Sequence, residues 1–246
     1  MTFADRVVLV TGGARGVGLG IVSAFAKAGA HVVTCGRSEA ESSVRYVRAD
    51  VRNPSEVDRL VSTVVDEYGR LDVVVNNAGG APPAPAATAS PRLHQKIVEL
   101  NLLAPLHVSQ RANVVMQQQD SGGAILMISS VSGVRPSPGS AAYGAAKAGL
   151  TNLATSLAVE WAPKVRVNTV VVGPVDTEQS HLYYGDADGV AAVSATIPMG
   201  RLATPADVAE ACLYLAAATY VTGSTLTVHG GGERPAFLDA SNAEGS

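Results

Sequence analysis

The sequence predicts an α/β protein: a doubly wound, parallel, seven-stranded sheet with helices on both faces. Three observations lead there. Short β-branched runs recur at 7–10, 32–34, 44–47, 73–75, 125–128, 165–172 and 225–228. Helical patterns fall between them, near 16–28, 55–67, 92–118, 141–161 and 205–217. Strand and helix in alternation imply parallel pairing, because each right-handed crossover needs a helix. The strand runs are also apolar at successive positions rather than every second one, the pattern of strands covered on both faces.

The first strand passes through Thr11-Gly12-Gly13-Ala14-Arg15-Gly16-Val17-Gly18 straight into the first helix. Glycines at 12, 16 and 18 permit a tight turn and close approach of backbone to a diphosphate. A helix beginning near Gly16 turns free N–H groups and the positive end of its dipole towards that anion. Gly12, Arg15, Gly16, Val17 and Gly18 are therefore read as a dinucleotide loop. Strand two ends in Cys35-Gly36-Arg37, with no acid at the tip. A carboxylate there would bond a ribose 2′-OH, whereas guanidinium groups suit a 2′-phosphate. Arg37 with Arg15 thus favours NADP, with NAD second.

After strand three come Asp50 and Val51, placed for a carboxylate to accept from an adenine amino group and a backbone N–H to reach the ring. After strand four come Asn77, Ala78 and Gly79, small and turn-forming, which lets backbone lie against a cofactor ribose. The Pro- and Ala-rich segment 80–91 reads as a surface loop over the carboxyl edge of the sheet, since the alternation resumes after it.

Strand five ends at Ser130, and the helix beyond it carries Tyr143 and Lys147, four residues apart on one face. A free tyrosine titrates near pH 10, too high for a base at neutral pH. A cation about 4 Å away, at an effective dielectric of about 20, favours the phenolate by about 4 kcal/mol. That is roughly 3 pH units before desolvation takes its share. Tyr143 would then exchange a proton with a substrate hydroxyl or carbonyl, with Ser130 donating a hydrogen bond. Taken alone, a Tyr and a Lys at this spacing are far more often neighbours on a solvated helix face.

Strand six is followed by 185–200, which lacks a clear period. It lies outside the carboxyl ends of the strands, so a substrate lid over about 174–200 is expected. His181, Tyr183 and Tyr184 either line the pocket beneath it or pack within the loop. The small, polar residues at about 238–246 are expected to form a flexible tail.

Composition narrows the class. Apolar residues make up 47% and charged residues 16%, enough for one packed domain over 1–246, and no composition break divides it. The net charge of −3, without a block of like charges, argues against a nucleic-acid or anionic membrane partner. Cys35 and Cys212 show no metal-like or redox-like spacing, and the five histidines form no ligand pair, so no metal is expected. With no leader-like start and no unbroken apolar run of about 18 residues, the expected location is cytoplasmic.

In combination these motifs resemble the short-chain dehydrogenase/reductase family, in its single-domain branch, and are similar to 3-oxoacyl-carrier-protein reductases. Thr-Gly-x-x-x-Gly-x-Gly at 11–18, Asn-Asn-Ala-Gly at 76–79, Ser130, Tyr-x-x-x-Lys at 143–147, and Asn168 leading to Gly173 and Thr177 occur in the family's order. The resemblance covers about 5–232. It implies a Rossmann fold and an NAD(P)-dependent oxidoreductase interconverting a secondary alcohol and a ketone by hydride transfer. Tyr143 would be the proton donor or acceptor, and Lys147 the residue that lowers its pKa and holds the nicotinamide ribose. Ser130 would polarise the substrate oxygen. Asn101 matches the asparagine whose helix backbone holds a water in a proton relay to the lysine; as a residue alone it also fits a cap or a kink. Gly173, Val175 and Thr177 match the loop at the nicotinamide carboxamide. A homo-oligomer, tetramer favoured, is implied through the helix bearing Ala145, Ala146, Ala148, Gly149 and Ala154, with intrachain packing as the alternative.

The chain departs from the family pattern twice. Val172-Gly173-Pro174 stands where Pro-Gly is usual, which puts the path of the following loop in question. Fourteen residues continue past Gly230-Gly231-Gly232, and Arg234, Phe237 and Leu238 either reach a neighbouring subunit or belong to a loose tail. Two other functions compete. A dinucleotide-binding sensor or scaffold on the same fold would be free to lose Ser130, Tyr143 or Lys147, and all three are present. A sugar-nucleotide epimerase or dehydratase would show a different glycine spacing and a longer chain.

Overall fold

Seven strands form the centre of the computed structural model, which describes residues 1–236. They are β1 (Val7–Thr11), β2 (His31–Gly36), β3 (Arg45–Arg48), β4 (Val73–Asn76), β5 (Gly123–Ser130), β6 (Val165–Val172) and β7 (Thr225–Val228). Their order is β3-β2-β1-β4-β5-β6-β7, and every pairing is parallel. The expected tail at 238–246, with Phe237 and Leu238, lies outside the described residues. Eight α-helices accompany the strands: α1 (Gly16–Lys27), α2 (Pro54–Tyr68), α3 (Pro91–Val98), α4 (Ala104–Gln118), α5 (Ala141–Trp161), α6 (His181–Tyr184), α7 (Ala187–Thr196) and α8 (Pro205–Ala217).

Successive strand residues point to opposite faces, so the continuous apolar runs feed two cores. Leu9, Val33, Val74, Ile125 and Val167 pack with residues of α2, α4 and α5, such as Leu60, Val108 and Leu150. Val8, Val10, Val32, Leu126 and Val170 pack with Ile21 and Phe25 of α1 and Val208 and Leu215 of α8. Each such side chain, fully buried, contributes about 1.5–3 kcal/mol. The helices are stopped and started locally. Asn53 caps α2 by accepting from the Ser55 N–H, Pro54 fills its first turn, and Gly69 ends it at φ 73°. Thr204 and Asp207 form a reciprocal capping box at the start of α8.

Two differences from the sequence reading stand out. The single helix expected over 92–118 is split into α3 and α4 by a π-helical turn, Glu99–Leu103, in which the Ala104 N–H reaches back to the Glu99 carbonyl. Asn101 is the cause. Its amide accepts from the Gly80 N–H (2.9 Å) and donates to the Gly80 and Ile97 carbonyls (both 2.9 Å), which binds the helix to the loop after β4. The second difference is α7, a regular helix inside the segment read as aperiodic. Neither α6 nor α7 buries a residue, so there was no apolar stripe to produce a period. The loop 80–90 does lie over the carboxyl edge, anchored by the Ala84 N–H to the Gly139 carbonyl at 2.8 Å.

The strand order reverses between β1 and β4, and the loops after these two strands open the crevice where such sheets take ligands. The small residues of α5 seat it against the turn after β5. A Cβ on Gly144 would stand 2.6 Å from the Ser132 carbonyl oxygen, and one on Gly133 2.7 Å from the Ala148 nitrogen.

Candidate active site

The loop between β1 and α1 is built as a cradle. Gly12 (φ 68°) and Gly16 (φ 53°) adopt left-handed backbone that other residues resist. A Cβ on Gly18 would lie 2.5 Å from Asn77 Nδ2 and would also strike the Gly12 carbonyl oxygen. Two polar residues inside apolar strands lock this shape. Thr34 Oγ1 accepts from the Gly13 N–H (2.9 Å) and donates to the Val10 carbonyl (2.8 Å). Thr11 Oγ1 accepts from the Asn77 and Ala78 N–H groups, both at 3.0 Å. Asn77 Nδ2 in turn donates to the Thr11 and Gly12 carbonyls at 3.0 and 3.1 Å. Asn77 therefore braces the cradle as well as bordering it. Sequence reasoning gave Thr11 only as the first residue of the glycine motif and did not single out Thr34, whose only signal was a hydroxyl in an apolar strand.

The first turn of α1 has no side-chain cap and no acid, which leaves its N–H groups open to the cleft above. That cleft encloses about 480 Å³. Gly12, Arg15, Gly16, Val17, Gly18, Arg37, Asp50, Val51, Asn77, Ala78, Gly79 and Thr177 all line it. Uncapped N–H groups and a backbone with no room for side chains fit a dinucleotide diphosphate. The sequence reading had not placed Glu39, Tyr46, Glu178 or Gln179 there, and they line it too. Glu39 alters the charge balance: the cleft that Arg15 and Arg37 line carries an acid after all, two residues past Arg37. No hydrogen bond or ion pair engages the guanidinium of Arg15 or Arg37 among the described residues. Asp50 is already paired. Arg52 donates to both its oxygens, at 2.9 and 2.5 Å, and together with Arg37 nearby holds the carboxyl below its usual range.

The cleft joins the reactive side chains through Gly79. A Cβ there would stand 2.8 Å from Asn101 Oδ1 and 3.2 Å from Lys147 Nζ. Lys147 is buried, 4% exposed, and its ammonium donates to the Ile128 carbonyl at 2.8 Å. Burial pulls its pKa down to about 8. The amine lies 5.6 Å from the centroid of the Tyr143 ring, so the two side chains share one face of α5. Tyr143 itself titrates above its ordinary value. Burial raises it most, the neighbouring Ser130 hydroxyl lowers it less, and Tyr183 and Tyr184 add to the rise. The phenol is thus held protonated, where sequence reasoning expected a phenolate. Ser130 ends β5 and accepts from the Ser132 N–H at 3.2 Å, which fixes the turn that carries it.

The loop after β6 keeps a regular path despite its displaced proline. The Gly173 N–H donates to the Val228 carbonyl (2.9 Å), the Pro174 carbonyl accepts from Ala203 (3.0 Å), and Val175 pairs with Ala203. Gly173 packs on His229, and neither it nor Val175 borders the cleft; Thr177 does. Tyr184 is half-buried, whereas His181 and Tyr183 are exposed; both tyrosines act electrostatically on Tyr143. Among the described residues no cluster of His, Cys, Asp or Glu is suited to a metal, and no helix is long and apolar enough to cross a membrane. Cys35 and Cys212 are buried, with thiols pushed up to about 12, and are unreactive.

Comparison with known proteins agrees with this geometry. Residues 12–233 match the family model described as Enoyl-(Acyl carrier protein) reductase. The cis-4-hydroxycyclohexanecarboxylate dehydrogenase of Sinomonas cyclohexanicum is 38% identical over 245 residues, covering 93% of this chain and 97% of that one. The 3-oxoacyl-acyl-carrier-protein reductase of Chlamydia muridarum is 35% identical over 244 residues, covering 92% and 97%. The solved structure of ElxO with NADP bound superposes with a TM-score of 0.85 at 30% identity, covering 92% and 98%. A glycine cradle at the β1/β4 crevice, Ser130, and a Tyr143–Lys147 pair on one helix, in a chain matched nearly end to end, show that the protein belongs to the short-chain dehydrogenase/reductase family of oxidoreductases.

Proposed function

We propose that this protein interconverts a ketone and a secondary alcohol using NADP(H), with NAD(H) the second choice. The observation that carries the reading is Gly79, a wall of the dinucleotide cleft whose missing side chain opens directly onto Lys147 and Asn101. A nicotinamide bound there supplies or accepts the hydride. Tyr143, kept protonated by burial, gives its proton to the carbonyl oxygen, and Ser130 donates a hydrogen bond to the same oxygen as charge develops. The Lys147 cation, one helical turn away, stabilises the phenolate once the proton has left. Asn101 holds the π turn that fixes Gly80 and Gly79 against Lys147.

The choice of NADP rests on Arg15 and Arg37, both free to meet a 2′-phosphate, against one opposing Glu39; ElxO, with NADP bound, supports it. The relatives' names support a hydroxylated or oxo substrate. Exposed Leu103, Val114 and Val159 on and beside α4 and α5 support a homo-oligomer, with a tetramer as the expected form. The test is Tyr143→Phe. Turnover of a carbonyl panel, followed by nicotinamide absorbance, should fall by about 10²–10⁴-fold while NADPH still binds. Undiminished turnover in the variant refutes the assignment.

A further inference from the structure

Across the diphosphate cradle stands a carboxylate that the chemistry above does not use. Glu178 follows Thr177 in the segment after β6 and lines the same cleft as Gly16. Its Oε1 comes within 3.8 Å of where a Cβ on Gly16 would stand. Gly16 opens α1, whose first turn has no acid and no side-chain cap. Among the described residues, no hydrogen bond or ion pair engages the Glu178 carboxylate. In the free protein that charge is favourable, because it faces the positive end of the α1 dipole. Towards a bound diphosphate it is a like charge at the same helix end.

We propose that Glu178 is a cofactor-release residue: its carboxylate stands in for the diphosphate at the start of α1 and opposes the cofactor when it binds. The inference rests on the dinucleotide reading above and adds to it a residue that sets affinity and exchange. The turn bearing Glu178 is braced from within. The Thr177 N–H donates to Ser180 Oγ (2.7 Å), and Ser180 Oγ donates to the Val175 carbonyl (3.1 Å). These bonds tie the turn bearing Glu178 to the segment that leads into α6.

Glu178→Gln and Glu178→Lys test this by NADPH titration, read as nicotinamide fluorescence at low salt and at about 0.5 M salt. Glu178→Gln should bind NADPH about threefold to tenfold more tightly at low salt, the range for an exposed charge acting on a doubly charged group. Glu178→Lys should bind more tightly still, and both gains should shrink at high salt. NADPH displaced from Glu178→Gln in a stopped-flow trap should leave more slowly by a similar factor. Equal or weaker binding in both variants overturns the inference while leaving the function intact. If the wild-type protein binds neither NADPH nor NADH, the functional reading falls first and this one with it.

Discussion

We propose two walls for the site, a cradle and a substrate lid, and they are made in opposite ways. The cradle wall, Gly12 to Gly18 with Asn77, grows from strands whose side chains are buried, and cross-strand bonds from Thr11, Thr34 and Asn77 fix it. The lid wall, α6 and α7, buries no residue. It is held at its far end by bonds from the Met199 N–H to Gly230 (3.0 Å) and from the Arg234 N–H to Thr196 (2.9 Å). At its rim Arg135 pairs with Glu233 at 2.6 Å. The contrast assigns a task to each wall. On this proposal the cofactor side inherits its geometry from the core and is ready before binding, while the substrate side would open at small cost because little packing is lost.

The sharpest way to break the comparison is to damage the cradle. Gly18→Ala places a methyl against Asn77 and the Gly12 carbonyl, where neither strand can yield. We expect a stability loss of about 1–3 kcal/mol in thermal unfolding. NADPH affinity should fall with it, by about tenfold or more, since the displaced backbone is the proposed diphosphate site. A variant that keeps the wild-type Tm and affinity would show the cradle to be as pliable as the lid.

Lys147 gives an intermediate effect and belongs to the core wall. Its buried amine titrates near 8 in the folded protein and near 10.5 when unfolded. Between these values the unfolded chain binds more protons, so this residue makes stability rise with pH from about 8 to about 10.5. Below 8 both states hold the proton and the full cost of burying the charge is present. Denaturant unfolding across that range should show the rise, and Lys147→Met should flatten it. Turnover that needs the ammonium should fall as pH passes about 8. A wild-type stability curve without that rise would mean the amine is solvated and shares the lid's exposure.

The same contrast explains how much could be read from the sequence. Cradle residues announced themselves, because only glycine fits positive φ at 12 and 16, and the seven apolar runs had to be strands covered on both faces. Tyr143 and Lys147 were legible from their spacing once the other motifs stood beside it. The phenol's protonation was not, since it depends on burial and on Tyr183 and Tyr184 arriving from a distant segment. Glu39 was hidden similarly, because a loop beyond the strand tip folds back to the cleft. The π turn was invisible because Asn101 breaks the helix by a bond to Gly80, a contact between residues far apart in sequence. Helix α7 was missed because a helix that buries no residue fully carries little apolar period.

The smallest expected effect comes from the lid. Asp186 caps α7, its carboxylate accepting from the Gly189 N–H at 3.1 Å. Removing the cap in Asp186→Ala costs the helix about 0.5–1 kcal/mol locally. Because α7 buries nothing, that cost should stay in the lid: amide hydrogen exchange across α7 should quicken while the global Tm holds. Cofactor affinity should hold as well, and the KM of a carbonyl substrate should rise without a matching fall in NADPH binding. If the Tm instead dropped as far as in Gly18→Ala, the lid would be unfolding together with the core. The two walls would then be one cooperative unit, and the division of labour between them would have no physical basis.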